Sequence, residues 1–393
     1  MSWGVKDVKG QRIAFVIRKS AGKERMSDLC REFKISRPTG YKWLRRYQEN
    51  NKLSELEEQS RRPKHSPGRT AADVENRVIQ LRQQTGWGAK KLQYVLERDE
   101  RIRVGRMTVN RILQRNGLIV EEDRHPAATT RFEMSAPNQL WQMDYKGPFP
   151  RGTGQCHPLS VLDDYSRYLI GLDAMSGPQM EPAQRSLIRM FEQYGLPQAM
   201  LMDHGSAWWN PISGHGLTRL SVMLIRQGIT LKYSGVGHPQ TQGKVEKWHD
   251  TLRRAVRHRR WLPEQLADWT TLLYEIRNVY NNVRPHEGIN MQVPAQRYQR
   301  SPRNYQSQPP EWEYPVGSLI KRVDCDGSIR LFGNSNFLSE ALIGERVRVE
   351  KFGPVALVSY RHMYIREINE NGSRPLVCAI GKPSMHTERA LEK

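Results

Sequence analysis

Between residues 140 and 249, short apolar runs alternate with longer amphipathic stretches, and this order constrains the fold more than any other feature of the chain. Three runs typical of strands follow one another at 140–147, 157–164 and 167–174, with turn-rich connections between them. This succession of strands predicts an antiparallel meander.

Helical and strand patterns then alternate. The spacing of apolar residues predicts a helix over 180–194, a strand over 197–203 and a helix over about 215–227. A strand at 229–233 and a long basic helix opening at Gly243 follow in turn. This order places Asp144 within the first strand, Asp203 at the end of a later one and Glu246 in the first turns of the last helix.

These three carboxylates are the candidate catalytic and metal-binding residues. A cluster of hard oxygen ligands suits Mg²⁺ or Mn²⁺, and two such ions ~4 Å apart would activate a water or sugar hydroxyl in phosphodiester chemistry. Aspartate at strand ends and glutamate on helices are also common without any metal. We interpret Asp163 and Asp164 as structural, and His204 and His249 as packing or hydrogen-bonding residues.

Positive charge is concentrated in the N-terminal third of the chain. The protein has 393 residues and 62 Lys and Arg against 41 Asp and Glu, a net charge of +21. Residues 1–125 alone hold 29 basic and 16 acidic side chains. Such asymmetry favours a nucleic-acid-binding region there, although a basic stretch can also be a solvated face. Proline-containing segments at 61–70, 121–138 and 301–310 are interpreted as extended connectors.

Residues 26–47 carry a helix-turn-helix pattern. A helix over 26–33 is followed by a short turn and by Ser36, which can cap a second helix over 37–47. We expect three aromatic or aliphatic residues of the second helix to face inward: Tyr41, Leu44 and Tyr47. Four cations of that helix are predicted DNA contacts: Arg37, Lys42, Arg45 and Arg46. The alternative is a small helical bundle with a charged exterior.

A second helical module is predicted over 73–118. Apolar residues recur at helical spacing in three successive segments, and Gly117 is expected to end the last helix. Any three-helix domain would show such stripes, so DNA binding is less specific here. The side chains expected to face a groove are Thr108, Asn110, Arg111 and Arg115. Later in the chain, four cations beside or after Glu246 are predicted phosphate contacts: Lys244, Lys247, Arg253 and Arg254. A solvated helix face is the competing explanation.

Four ordered motifs resemble the retroviral-integrase-like core of bacterial insertion-sequence transposases. They are Trp-Gln-Met-Asp-Tyr-Lys at 141–146, Leu-Asp-Asp-Tyr-Ser-Arg at 162–167, Met-Asp-His-Gly-Ser-Ala-Trp at 202–208 and His-Pro-Gln-Thr-Gln-Gly-Lys-Val-Glu-Lys-Trp-His at 238–249. Residues 280–288 and 293–298 resemble the tail of that core. The resemblance implies a ribonuclease-H-like fold and a DDE site in which Asp144, Asp203 and Glu246 hold two Mg²⁺ or Mn²⁺ ions.

The resemblance also implies an activity. A DNA transposase would bind the terminal inverted repeats of its element as a homo-oligomer, hydrolyse each end to expose a 3′ hydroxyl and join that hydroxyl to double-stranded target DNA. The alternatives are a non-catalytic DNA-binding regulator and a metal-dependent nuclease that cuts without joining. The 43 residues from Asp203 to Glu246 exceed the usual family interval, and residues 210–216 are interpreted as the insertion responsible.

The sequence thus predicts a multidomain α+β protein. Its expected parts are a helix-turn-helix module at 1–60, a second such module at 71–122, a ribonuclease-H-like catalytic core at 135–300 and a small β-barrel at 312–382. The stripe from Trp269 to Tyr280 is expected to be core or subunit contact. No apolar run approaches the ~18 residues needed to span a bilayer, and no secretory signal is visible, so a cytoplasmic protein is expected. The four scattered cysteines give no reason to predict zinc.

Overall fold

The structure is a computed structural model of the whole chain, and it describes residues 7–58, 68, 70–119, 133–151, 154–210, 216–234, 243–259, 262–369 and 372–376. The chain divides into two compact units, residues 1–69 and 70–393. The predicted connectors at 61–70 and 121–138, and the predicted insertion at 210–216, lie largely outside the described residues. No helix among the described residues is long and apolar enough to cross a membrane.

The first unit is a three-helix bundle built from α1 (Val8–Ser20), α2 (Met26–Glu32) and α3 (Arg37–Asn50). Ser36 caps α3, accepting a hydrogen bond from the backbone N–H of Thr39 at 3.4 Å, as the sequence predicts. Gly40 allows close packing, because a Cβ there would lie 2.8 Å from the ring of Phe15 and 2.9 Å from Cys30 Sγ. The helix-turn-helix prediction is therefore confirmed for α2 and α3.

The inward face of α3 differs from the prediction. Tyr41 is 54% exposed, whereas Trp43 is 4% exposed and belongs to the core of the bundle. The prediction for Tyr41 was wrong because α1, which the sequence analysis did not assign, fixes which side of α3 is covered. Arg12 of α1 lies over the Trp43 ring, with its guanidinium carbon 3.9 Å from the ring centroid.

The second unit begins with three further helices, α4 (Ala72–Thr85), α5 (Ala89–Glu100) and α6 (Arg106–Arg115). Their apolar stripes meet in one core that includes Val78, Leu92 and Val109, each fully buried. The helix α4 ends at Gly86, which takes a left-handed conformation with φ of 67°. The three segments with apolar residues at helical spacing are thus confirmed as helices.

A six-stranded sheet follows, flanked by four helices. Its strands are β1 (Leu140–Tyr145), β2 (Phe149–Arg151), β3 (Gly154–Asp163), β4 (Leu169–Met175), β5 (Ala199–Met202) and β6 (Thr230–Tyr233). The helices are α7 (Met180–Tyr194), α8 (Arg219–Arg226), α9 (Gly243–Arg257) and α10 (Leu266–Asn282). The strands β1, β3 and β4 pair antiparallel, which confirms the predicted meander. The strands β5 and β6 add in parallel beside β1.

The sheet is covered on both faces. Side chains of α7 and α8 share one hydrophobic core with Trp141 and Met143 of β1, whereas those of α9 and α10 share another with Leu162 and Leu169. The stripe of α10 from Trp269 to Tyr280 lies in this second core, as expected. Alternate side chains along the strands therefore pack against the helices on opposite faces of the sheet.

The C-terminal part is an antiparallel β region. One sheet has the order β13-β12-β11-β10-β7, and β8 pairs with β9 in a separate hairpin. Its strands are β7 (Leu319–Arg322), β8 (Ser328–Leu331), β9 (Asn334–Phe337), β10 (Arg346–Phe352), β11 (Val355–Tyr360), β12 (Met363–Asn369) and β13 (Gly372–Pro375). Alternating apolar runs at 317–323, 327–332, 345–350, 355–360 and 362–367 predict five of these strands, whereas β9 and β13 are short and polar and were not predicted.

This β region is not separate in its packing. Its buried residues, including Val347 and Ile368, belong to the same hydrophobic core as α7, α8 and β1. The predicted open connector at 301–310 is also packed: the guanidinium of Arg303 donates to the carbonyls of Pro197, Gln227 and Gly228 at 2.6, 2.9 and 2.8 Å. The segment is a bound strap rather than an open linker.

Candidate active site

Asp144 and Asp203 lie at the carboxyl ends of two neighbouring parallel strands, Asp144 as the penultimate residue of β1 and Asp203 directly after β5. The register of β1 and β5 pairs Gln142 with Leu201, and Asp144 and Asp203 each lie two residues further along. The carboxyl ends of parallel strands meet at one edge of a sheet, so this register brings the two carboxylates together. Sequence order alone predicted the strand ends but not this pairing.

The electrostatics of Asp144 reflect that neighbourhood. The pKa of Asp144 is raised to about 7, first by burial and then by the charge of Asp203, with a smaller contribution from Glu246. The backbone N–H of Tyr145 and the charge of Lys146 oppose the shift. A carboxylate this unfavourable to ionise is one that a bound cation would stabilise.

Asp203 is oriented by the loop that follows it. Its Oδ1 accepts hydrogen bonds from the backbone N–H of Gly205 at 2.9 Å and from Nε1 of Trp208 at 3.0 Å. The Trp208 ring stacks on Tyr145, with 5.2 Å between the ring centroids and 3° between the planes. Trp208 was not among the residues predicted from the sequence, although its position in the 202–208 motif, five residues after Asp203, was a signal.

Glu246 lies in the first turn of α9 and is exposed. Neighbouring atoms partly shield its carboxyl from water, which raises its pKa, and the charge of Asp250 one helical turn later adds to the shift. Asp250 is a further carboxylate on this face, which its four-residue spacing from Glu246 could have indicated. Its Oδ1 accepts a hydrogen bond from Arg253 at 2.7 Å, so the predicted phosphate contact Arg253 is paired with an acid here.

Three contacts fix the start of α9 against the sheet. Nζ of Lys244 forms an ion pair with Oδ1 of Asp164 at 2.5 Å. Nε2 of Gln142 donates to the same Asp164 oxygen at 2.8 Å, and Oε1 of Gln142 accepts from the backbone N–H of Val245 at 3.3 Å. The helix that carries Glu246 is therefore tied to the strand that carries Asp144. Lys244 is held by an acid in this structure, and its contact with phosphate stays a prediction.

Asp163 and Asp164 are fully buried and serve the fold. Asp163 accepts hydrogen bonds from the backbone N–H groups of Asn138 and Ser166 at 2.7 and 2.8 Å, and from the Ser166 hydroxyl at 2.6 Å. Oδ2 of Asp164 accepts from the backbone N–H of Met134 at 2.8 Å. These contacts agree with our interpretation of the pair as structural.

The two histidines near the carboxylates differ in their surroundings. Nδ1 of His249 lies 3.6 Å from Oδ2 of Asp144, and burial together with the charge of Lys146 lowers the pKa of His249 to about 4. The imidazole is therefore neutral at physiological pH. His204 stacks between aromatic rings, 4.9 Å from the centroid of Trp209 and 5.8 Å from that of Tyr233. Both placements agree with packing roles.

The donor set suits a hard divalent cation. Asp144, Asp203 and Glu246 supply carboxylate oxygens, and the pKa of Asp144 is raised by burial first and then by the charge of Asp203. Within the residues that the structure describes, however, no three Asp, Glu, His or Cys side chains are close enough to hold a metal ion. The carboxylates are neighbours in the fold without forming a closed cluster.

The predicted DNA contacts of the helical modules lie in different settings. Arg37, Lys42 and Arg45 are exposed on α3, whereas the guanidinium of Arg46 lies 4.9 Å from the Trp43 ring centroid. On α6, Arg111 is exposed. Arg115 instead pairs with Glu75, with NH2 3.0 Å from the carboxylate oxygen. Lys247 on α9 is exposed.

Comparison with known families fits this geometry. Profiles described as an integrase core domain match residues 134–239 and 227–294. A helix-turn-helix domain profile matches residues 11–64, and a homeodomain-like profile matches residues 39–113. The chain carries an integrase core behind helix-turn-helix domains. The α+β fold prediction is confirmed, with a ribonuclease-H-like integrase core and a C-terminal β region.

Curated relatives of this integrase core include mobile-element proteins. A 31.7 kDa protein of insertion element IS407 from Burkholderia multivorans is 23% identical over 57% of this chain and 82% of its own length. The transposase of transposon Tn552 from Staphylococcus aureus is 26% identical over 31% of this chain and 27% of its own length. The resemblance to bacterial insertion-sequence transposases with an integrase-like core is thereby confirmed.

Solved structures show a partial likeness. A simian T-cell lymphotropic virus intasome, in complex with a PP2A regulatory subunit, covers 77% of this chain and 99% of its own, with 15% identity and a TM-score of 0.37. The HTLV-2 integrase catalytic core domain in complex with magnesium covers 42% of this chain and 97% of its own, with 13% identity and a TM-score of 0.32.

Proposed function

We propose that this protein is a DNA transposase that cleaves the 3′ ends of its element and joins them to target DNA. The observation that carries the proposal is the placement of Asp144 beside Asp203 at adjacent strand ends, with the Glu246 charge near enough to raise the pKa of Asp144. These three residues are the proposed catalytic and metal-binding triad.

The chemistry consists of two displacements at phosphorus. A water oxygen first attacks the phosphodiester at the element end, and the bond to the 3′ oxygen breaks, leaving a free 3′ hydroxyl. That hydroxyl then attacks a phosphodiester of the target, and the target's own 3′ oxygen leaves. Mg²⁺ or Mn²⁺, when bound as two ions, would lower the pKa of the attacking group and neutralise charge on the leaving oxygen.

The chain's own residues hold the triad in place. Trp208 and the backbone of Gly205 orient Asp203, and the contacts from Lys244 and Val245 to Asp164 and Gln142 position the helix of Glu246. No residue forms a covalent intermediate in this scheme. The neutral His249 beside Asp144 would donate or accept a hydrogen bond rather than relay protons.

The remaining parts of the proposal concern DNA and assembly. Helices α3 and α6 would bind the terminal inverted repeats, with exposed cations such as Arg45 and Arg111 meeting DNA. Two ends must be joined together, so a homo-oligomer on DNA is proposed. We also propose the division into parts at 1–60, 71–122, 135–300 and 312–382, and a cytoplasmic location.

The test uses purified wild type and Glu246→Gln with magnesium, a target plasmid and labelled DNA carrying the element's ends. Glu181→Gln is the matched control, because Glu181 is an exposed glutamate at the start of α7. Joining by wild type and Glu181→Gln, but not by Glu246→Gln, supports the proposal. Cleavage without joining indicates the nuclease, tight metal-independent binding without products indicates the regulator, and joining by Glu246→Gln removes Glu246 from the triad.

A further inference from the structure

A cavity of about 610 Å³ lies between the end of α4, the start of α5 and the helix pair α9–α10. We call it the α9–α10 cavity. Trp248, Ile276 and Tyr280 form its buried apolar side, and each is less than a tenth exposed. Its other walls include the cations Lys91 and Arg284.

The lining is strongly basic. Four Lys and Arg side chains line the α9–α10 cavity, together with His258, and the described lining residues include no Asp or Glu. The lining cations are Lys91, Arg254, Arg259 and Arg284. Lys91 pairs with Glu287 and Arg259 with Glu275, and both acids lie outside the described lining. The charged side chains of the described lining are therefore all cations.

The pKa values of Arg284 and Lys91 reflect their burial beside other cations. Burial lowers the pKa of Arg284, and the charge of Arg254 lowers it further. Burial likewise lowers the pKa of Lys91, with the charges of Arg284 and Arg254 adding to the shift. Among the described residues Arg284 forms no ion pair, and its guanidinium lies 5.9 Å from the Trp87 ring centroid. An anion in the cavity would relieve the repulsion among these cations.

The helices that line the cavity pack closely against one another. A Cβ at Gly86 would lie 2.3 Å from Nε2 of His258, so the end of α4 packs directly against the end of α9. The guanidinium of Arg284 is positioned in advance by the Trp87 ring. A site whose donors are already in place loses less entropy on binding its ligand.

We propose that the α9–α10 cavity binds a backbone phosphate of the DNA on which the carboxylate site acts, through Arg254 and Arg284. This inference rests on the proposed function. Arg254 follows Glu246 by eight residues on α9, a separation of ~12 Å at 1.5 Å per residue. One strand of a duplex carries a phosphate every ~3.4 Å along its axis, so the bound phosphate would lie three to four nucleotides from the one attacked.

In this scheme the second helical module also contacts DNA near the phosphodiester that is cleaved. Lys91 and Trp87 come from that module, whereas Arg254 and Arg284 come from the integrase core. The apolar side formed by Trp248 and Tyr280 excludes water, which strengthens the attraction between guanidinium and phosphate. Free inorganic phosphate has the same chemistry, and the experiment separates the two sources.

The experiment measures binding of a labelled duplex carrying the element's ends to the full chain, by fluorescence anisotropy without divalent metal, over a series of salt concentrations. Loss of one phosphate contact reduces the slope of log affinity against log salt by ~0.9. We expect this reduction for Arg284→Gln and a restored slope for Arg284→Lys. Arg185→Gln, which removes an exposed charge from α7 outside the cavity, should leave the slope unchanged.

The outcomes separate the possibilities. An unchanged slope for Arg284→Gln overturns the proposal, whether or not inorganic phosphate raises the melting temperature of wild type more than of the variant. If Arg284→Gln does not fold, Arg254→Gln is measured in the same way and decides. Failure of the proposed function would appear separately, as absence of joined products with wild type in magnesium while the salt slope still responds to Arg284.

Discussion

Lys244 pairs with the fully buried Asp164 two residues before Glu246, and this contact couples the helix of one proposed catalytic carboxylate to the sheet that carries the others. Gln142 bridges the same Asp164 oxygen and the backbone of Val245. Asp164 thus holds the helix of the proposed catalytic Glu246 against the sheet. Asp163 instead accepts hydrogen bonds from Asn138 and Ser166.

Lys244→Met should lower the free energy of unfolding by ~3 kcal/mol, because it leaves a buried carboxylate without its cation. Urea unfolding followed by fluorescence measures this loss. Lys247→Met, an exposed lysine one turn further along the helix, should change stability by less than ~0.5 kcal/mol. The double variant with Asp164→Asn should lose less than the sum of the single losses; additive losses would mean that the pair is not coupled.

Trp208→Phe should slow strand joining ~10-fold to 100-fold at saturating DNA, because Asp203 loses the hydrogen bond from the indole while the ring can still stack on Tyr145. Joining rates and DNA affinity are measured separately, and the affinity should be unchanged. Trp209→Phe is the matched control, since Trp209 packs against His204 and Tyr233 instead. An equal loss in both variants would argue against an orienting role for Trp208.

Arg45→Ala and Arg46→Ala should have different effects despite being adjacent on α3. Arg45 is exposed, so its loss should weaken binding to the element's ends by ~1–3 kcal/mol without changing stability. Arg46 lies over Trp43, so its loss should lower the melting temperature through lost packing. Binding titrations and thermal unfolding of both variants test this, and identical profiles would contradict it.

His286 should make the fold sensitive to acid. Burial, and then the charge of Arg167, lowers its pKa to about 3, and its Nδ1 accepts a hydrogen bond from the backbone N–H of Gly288 at 3.2 Å. The unfolded chain takes up the proton near pH 6.5 and the folded chain does not, so stability is full above that pH and is lost as pH falls toward 3. By pH 5 the loss should be ~2 kcal/mol.

His286→Asn tests this directly, because its side-chain oxygen can still accept from the backbone two residues on but does not titrate. Urea unfolding at pH 7.5 and pH 5 should show a loss on acidification that is ~2 kcal/mol smaller in the variant than in wild type. The same loss in both proteins would assign the acid sensitivity to other groups.

The order of the helices and strands was readable from the sequence because it depends on local periodicity. The predicted helix over 180–194 matches α7, and the three strand runs of the meander match β1, β3 and β4. The cap at Ser36 was also predictable, since it involves contacts only three residues apart. The site residues were predictable as positions within motifs, and their roles remain proposals.

The sequence by itself determined where the carboxylates stand along the chain, because strand ends and helix starts follow from local pattern. Only the tertiary structure decided which groups the buried Asp163 and Asp164 contact, that Trp43 rather than Tyr41 enters the core of the first unit, and that the C-terminal sheet shares the core of α7 and α8. These outcomes depend on residues distant in sequence: Lys244 lies 80 positions from Asp164, and α1 lies outside the two helices whose pattern was read. Local periodicity carries no information about such contacts, because burial is set by whatever element packs on the other side.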